Sequence, residues 1–261
     1  MRKTKEHIMN EEKRITPRYI GPDTSARTEK MSRAEIQGRF DKEVAALYSQ
    51  RDPIWLPEFR QMFALVPELL KPHVTPGSVI LDVGAGTGNL SRSVLEAIDD
   101  VSCVLMDFSA NMLSAVPLVL APFAGRFETL VDDFIDADYG VARYDAIISS
   151  FAIHHCRGRS EYGGLYQKFA QALKAGGIFV CCDVVAGADE SLSQLNEYGW
   201  RDFLKEQGLE PAEVERILSN YHVEDSPIDC GLHMTLLKEA GFSIVDVVWK
   251  RSNFAIYVGI K

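Results

Sequence analysis

The sequence predicts an α/β fold built on a mainly parallel sheet. Three observations carry this. From residue 75 onward short, unbroken apolar runs alternate with helical stretches, the pattern of strands covered on both faces. One run, 79–83, leads through three alternating glycines into a helical stretch. The last two runs, 242–249 and 253–260, are close enough in sequence to pair antiparallel.

Taken in order, residues 1–31 are polar, charged and without periodicity, and are expected to form a flexible tail. Ile36, Phe40, Val44, Leu47 and Tyr48 then fall at spacings of three and four, an amphipathic helix. Leu56, Phe59, Met62, Phe63, Val66, Leu69 and Leu70 make a second stripe, with a kink expected near Pro67. Between them Arg51-Asp52-Pro53-Ile54-Trp55 is a proline-broken turn carrying a large aromatic. Residues 32–72 thus form an N-terminal helical lid, and 73–261 the main domain. Its strands are expected at 79–83, 101–106, 127–131, 144–149 and 178–185, with helices at 89–98, 109–115 and 161–174. From 188 to 226 the chain turns helical and charged, with Leu192, Leu195, Trp200 and Leu204 as apolar marks, and reads as an inserted cap. A helix over 230–240 precedes the final strand pair.

The chain has 261 residues, 46% hydrophobic and 25% charged, enough apolar content to bury a core and to exclude a mainly disordered protein. Lys and Arg number 28 against 37 Asp and Glu, a net charge of −9 that repels nucleic acid and anionic membranes. The most apolar stretch, 112–125, is too short to span a bilayer and is cut by Pro117 and Pro122. The first residues have no apolar core of a secretory signal, and Glu6, Glu11 and Glu12 argue against a transit peptide. Of five cysteines, Cys103, Cys181 and Cys182 sit in strand-like runs, with no CxxC pair and no Cys/His metal spacing. A cytoplasmic protein with reduced thiols and no metal is expected, with a homodimer left open.

The strongest motif is LDVGAGTGNL, in which Gly84, Gly86 and Gly88 join a strand to a helix. Glycines there let the backbone turn sharply and let a ligand lie against it. A dinucleotide fingerprint would place its third glycine at 89, where this chain has Asn89. Acidic groups follow successive strands: Asp82, Asp107 and the pair Asp132/Asp133. Carboxylates facing a pyrophosphate, with roughly two negative charges, cost Coulomb energy. They suit a ligand with a sulfonium, an ammonium and a ribose, whose hydroxyls a carboxylate such as Asp107 accepts. This chemistry points to S-adenosylmethionine (SAM).

LDVGAGTGNL, LMDFSANML, DDFIDAD, YDAIISSFAIHH and LKAGGIFV together resemble the ordered motifs of the class I SAM-dependent methyltransferases. The resemblance implies a Rossmann-like, seven-stranded, mostly parallel sheet with its last strand pair antiparallel. It implies that Asp82, Gly84, Ala85, Gly86 and Gly88 line the methionyl part of SAM and that Asp107 binds the ribose. It further implies that Phe108 and Met112 flank the adenine, that Asp133 and Phe134 address its edge, and that Ser149 lies under the methionyl amine. A closer resemblance reaches the flanks. Phe40-Asp41, Val44-Ala45, Arg51, Pro53, Trp55, the segment Lys238 to Phe242 and Asn253-Phe254 are similar to the carboxy-SAM synthase group serving tRNA wobble-uridine modification. That group has a tyrosine at the Trp55 position and an arginine for the extra carboxylate where this chain has Glu215, with Arg216 adjacent. Uncharacterised methyltransferase-like proteins share the pair Trp200-Arg201.

Candidate catalytic groups are few. His154-His155 follows the fourth strand, where an imidazole near pKa 6.5 can act as a base. For His155 the expectation is a packing role at a helix start; for His154 catalysis and packing stand level. Asp183 ends the fifth strand and is expected to cap the following turn. Trp55 offers a π face to a sulfonium, Tyr48 reads either as a second site aromatic or as core, and Arg51 either binds the SAM carboxylate or pairs with Asp52. The expected function is methyl transfer to a small-molecule acceptor in a lidded site. The alternatives are cyclisation of SAM to azetidine-2-carboxylate with release of methylthioadenosine, carboxy-SAM formation, or SAM binding without catalysis.

Overall fold

The computed structural model describes residues 24, 26–42 and 52–261. Seven strands form one sheet: β1 (Val79–Val83), β2 (Ser102–Asp107), β3 (Phe127–Val131), β4 (Tyr144–Ser150), β5 (Leu173–Val184), β6 (Ile244–Arg251) and β7 (Phe254–Ile260). Their order is β3-β2-β1-β4-β5-β7-β6, with β7 antiparallel to both neighbours and all other pairs parallel. Strand order reverses on either side of β1, the switch point where open α/β sheets place their ligands. Val83 is level with Met106 and Ser149, so the loops after β1, β2 and β4 emerge side by side.

Adjacent residues of each central strand serve opposite faces. Ile80, Ile148 and Val180 pack with Met62, Leu70 and Val94 on one side, whereas Leu81, Ile147 and Phe179 pack with Tyr166, Leu236 and Tyr257 on the other. Double-sided burial is why these runs are apolar without interruption. The edge strand β6 instead alternates between exposed and half-buried positions.

The helices are α1 (Arg33–Phe40), α2 (Asp52–Trp55), α3 (Phe59–Leu70), α4 (Asn89–Ala97), α5 (Ala110–Leu113), α6 (Val116–Val119), α7 (Gly158–Ala172), α8 (Glu190–Glu206), α9 (Pro211–Glu224) and α10 (Cys230–Glu239). α1 starts with a reciprocal capping box between Ser32 and Glu35. α3 accommodates Pro67 inside it. The helix expected over 109–115 stops at Leu113, and a separate short helix begins beside Pro117. β5 begins at Leu173 rather than 178, because Leu173 pairs with Tyr144 before the register shifts. Packing also reaches upstream of residue 32. Thr24 and Met31 are buried, with the Thr24 hydroxyl on Asn220 and the Met31 amide on the Val223 carbonyl at 2.7 Å, so these two residues are held against α9. Val44, Leu47, Tyr48 and Arg51 lie outside the described residues.

Candidate active site

One large cavity lies at the carboxyl ends of β1, β2 and β4, with the α1–α3 segment and the inserted helices α8 and α9 on its other side. Its floor is the glycine loop. Gly84, Gly86 and Gly88 all have positive φ (68°, 54° and 87°), which only glycine adopts without strain. Their surroundings differ. A Cβ at Gly84 would meet Ala152 Cβ at 2.2 Å and one at Gly88 would meet Leu105 at 3.0 Å, so these two let protein pack on protein. A Cβ at Gly86 would find nothing closer than Met112 Cε at 3.8 Å, and Gly86 lines the cavity. Gly86 therefore keeps the floor open for a ligand. Gly88 is not a wall residue; it caps α4.

Asp107 ends β2 with both carboxylate oxygens held: Gly86 N–H donates to one at 2.8 Å and Ser109 N–H to the other at 2.9 Å. Burial nevertheless pushes its pKa up, to about 6. Phe108, Met112 and Phe134 line the same end of the cavity. Asp133 lines it too, but its Oδ1 also accepts from Ile135 N–H and from Arg33 of α1 at 3.0 Å. Asp82 is fully buried behind the loop. Ser91 donates to its Oδ2 at 2.7 Å, its Oδ1 finds no partner among the described residues, and burial raises its pKa to about 7. Ser149, expected under a methionyl amine, is buried in the sheet with its hydroxyl on the Val83 carbonyl, and its neighbour Ser150 faces the cavity instead. The alternation of side chains along a strand makes this one-residue difference decisive.

Opposite the loop, Trp55 lines the cavity, and Trp200 of α8 donates its indole N–H to the Trp55 carbonyl at 2.7 Å. Arg39 of α1 pairs with Glu224 of α9 at 2.6 Å, both largely buried. Burial drives the Glu224 pKa to about 7, with Arg39 opposing that rise. Arg33, Arg39, Arg157, Asn220, Glu224 and Asp225 all reach the cavity. Sequence reasoning gave none of them a role, because each comes from a segment remote from the glycine loop. Glu215, by contrast, is exposed and ion-paired with Arg201, away from the cavity.

His154 sits between two carboxylates. Its Nδ1 lies 2.5 Å from Asp183, its backbone N–H donates to the other Asp183 oxygen at 3.0 Å, and its Nε2 lies 3.4 Å from Asp225. Burial disfavours the charged ring, but Asp225 and Asp183 outweigh it and hold the His154 pKa well above its ordinary value. With a carboxylate at each ring nitrogen, His154 is not a free base facing an acceptor. His155 is driven the other way, to about 3, by burial and by the charge on His154. Asp183, expected to cap a turn, does accept the Val184 and His154 amides, but it also fixes the His154 ring. Trp55 and His154 are thereby brought to one cavity with the glycine loop, whereas Tyr48 and Arg51 lie outside the described residues.

A methyltransferase-domain family model matches residues 80–177. The chain is 23% identical over 234 residues to the carboxy-SAM synthase of Nautilia profundicola, covering 87% of this chain and 96% of that one. It is 26% identical over 235 residues to the same enzyme of a Nitratiruptor species, covering 87% and 94%. Its fold matches a chain in the crystal structure of a Haloferax volcanii Trm112 methyltransferase activator complex, with TM-score 0.60, 14% identity, and 85% and 96% covered. Residues 80–177 thus match a methyltransferase-domain family, and the fold is similar to that of the solved structure. Similarity to these proteins implies SAM as the group the site would hold. The site fits such a group: an open floor at Gly86, a double-anchored carboxylate at Asp107 and the rings of Phe108 and Phe134 beside it. Among the described residues, no helix is long and apolar enough to cross a membrane.

Proposed function

We propose that the chain is a SAM-consuming enzyme of the cytoplasm that transfers a methyl group to a small-molecule acceptor. The observation that carries this reading is the cavity itself. Its floor is the ligand-shaped glycine loop, and its roof is made of segments distant in sequence and tied to one another by Trp200 and Arg39. SAM, when bound, supplies an electrophilic methyl group on a sulfonium. Asp107 accepts its ribose hydroxyls, Phe108 and Met112 flank its adenine, and Asp133 and Phe134 meet the adenine edge. Gly84, Ala85 and Gly86 give the methionyl part a backbone floor. Trp55 offers its face to the sulfonium.

Methyl transfer needs in-line approach and exclusion of water more than a covalent catalyst. The α1–α9 and α2–α8 ties serve that exclusion by holding a lid over the cavity. His154, fixed by Asp183 and facing Asp225, forms part of the wall against which an acceptor lies. Arg33, Arg39 and Arg157 reach the roof, the first two already paired with Asp133, Glu161 and Glu224, so an acceptor carboxylate or other oxygen anion would bind by sharing these guanidinium donors.

The same arginines favour a second reading, carboxy-SAM formation. They could serve the extra carboxylate in place of the arginine that the relatives carry at the position of Glu215. Incubation of the purified protein with SAM and small carboxylic and hydroxy acids, followed by mass spectrometry, tests both. Adenosylhomocysteine with a methylated acceptor supports transfer, and a carboxylated SAM supports the second reading. Methylthioadenosine formed from SAM alone would point to cyclisation. SAM binding without any product would leave a binding protein and sink the enzymatic reading.

A further inference from the structure

We infer that His154, His155 and Asp225 form a binding site for one divalent transition-metal ion of the zinc type. The ligand atoms of these three residues lie within 4.8 Å of one another, and all three residues line the cavity. Two imidazoles and a carboxylate are a donor set that zinc and its first-row neighbours prefer.

Three further observations favour an ion over side chains that merely touch. First, His154 Nε2 and His155 Nδ1 stand 3.4 and 3.5 Å from Asp225 Oδ1. A charge-assisted hydrogen bond would close to about 2.7–2.9 Å. Two ligands of a tetrahedral ion, each about 2.0–2.1 Å from the metal, stand about 3.3–3.4 Å apart. Second, the groups behind the ligands are already fixed. Asp183 grips His154 Nδ1 at 2.5 Å, which leaves Nε2 to face Asp225. This is the carboxylate–histidine–metal relay that orients metal-bound imidazoles. Asp225 is anchored from both sides, its own amide on the Tyr221 carbonyl at 3.1 Å and the Ser226 amide on the His154 carbonyl at 2.8 Å. Third, Glu224, next in the chain to Asp225, is buried in the same cavity with its Oε1 lacking a hydrogen-bond partner among the described residues. A positive ion in this cavity would lower the electrostatic cost of burying that carboxylate.

The arrangement demands a positive charge between His154 and Asp225. That charge is either a proton on one ring or an ion shared by all three residues, and the spacing fits the ion. An ion held by three protein ligands keeps coordination positions open toward the cavity, as catalytic rather than structural sites do. Asp225 lies 70 residues after His155, so no local spacing announces the set. The inference does not depend on whether SAM is the substrate.

The test starts from the full chain stripped with chelator and dialysed. Calorimetric titration with zinc chloride is expected to show about one ion per chain. Cobalt chloride is expected to produce the visible bands of a four- or five-coordinate site without thiolate charge transfer, since no cysteine is a ligand. D225N and H155Q are expected to lose zinc binding while keeping the circular dichroism and melting temperature of the metal-free parent, and D183N to weaken it by about 10–100-fold. A parent protein that binds neither ion while still binding SAM overturns the inference. So does zinc binding that both D225N and H155Q retain, or a cobalt spectrum dominated by thiolate. Should the variants unfold, the nitrogen resonances of the parent's histidine rings decide, shifting on zinc addition at two rings if the site is real and at none if it is not.

Discussion

A methyl group added at Gly84 would stand 2.2 Å from Ala152 Cβ, whereas one added at Gly86 would meet only Met112 Cε at 3.8 Å. The two glycines therefore answer to different pressures, and substitution separates them. Gly84→Ala combines left-handed backbone strain with a clash against another strand's loop, and is expected to lose roughly 2–4 kcal/mol in chemical denaturation. Gly86→Ala carries the backbone strain alone, about 1 kcal/mol, but places its methyl on the cavity floor. Its main effect should be a SAM affinity lowered by about tenfold or more in calorimetry. If Gly86→Ala binds SAM normally, the loop is not the floor of the site. Trp55 admits a similar separation by charge. A ring face attracts the sulfonium of SAM but not the neutral thioether of adenosylhomocysteine, so Trp55→Ala is expected to weaken SAM by about 1 kcal/mol and leave adenosylhomocysteine nearly unchanged. Equal weakening of both would make Trp55 a packing residue.

Helices α1 and α9 meet through Arg39 and Glu224, with side-chain exposures of 12% and 4%. Breaking such a pair leaves a charge stranded, whereas replacing both partners by apolar groups removes the problem. Arg39→Ala is accordingly expected to lower stability by roughly 3 kcal/mol, and Arg39→Met with Glu224→Leu to recover most of it, as read by melting temperature. Failure of the double variant to recover would mean that Arg39 acts through other contacts. At this scale the sequence was most legible where periodicity is simple. The central strands β1 and β4, the helix after the glycines and the terminal strand pair all fall within a few residues of their expected bounds, because double-sided burial leaves a continuous apolar signature. β5 was misjudged at its start because Gly176 and Gly177 read as a turn, yet the strand bends through them to pair Leu173 with Tyr144. Sequence position alone does not fix where Glu215 points, because one step along α9 decides whether a side chain meets solvent or the cavity.

Across the whole molecule, the site divides into a half written along one stretch of chain and a half assembled by folding. The floor, from Gly84 to Phe134, comes from consecutive loops of one motif series; of the residues named from those motifs, Gly84, Ala85, Gly86, Asp107, Phe108, Met112, Asp133 and Phe134 line the cavity, whereas Asp82, Gly88 and Ser149 do not. The roof draws Arg33, Arg39, Trp200 and Asp225 from segments that meet only in three dimensions. The floor also sets how the protein responds to pH. Burial raises Asp107 to about 6 and Asp82 to about 7, both above their unfolded values. A carboxyl so raised favours folding in its protonated form, so without ligand these two oppose stability increasingly as pH climbs from about 4 to 7. A ligand whose ribose hydroxyls require the Asp107 carboxylate must displace that proton at low pH. SAM affinity is then expected to rise by up to about tenfold per pH unit below 6 and to level off above 7, as one linked proton allows. Since a ligand stabilises the folded state according to its concentration relative to Kd, the melting-temperature gain from SAM should grow from pH 5 to 7 in parallel. Adenosylhomocysteine, which carries the same ribose, should show the same dependence, and Asp107→Asn should flatten it for both. A gain that is flat or largest at pH 5 in the parent protein would place the ribose away from Asp107.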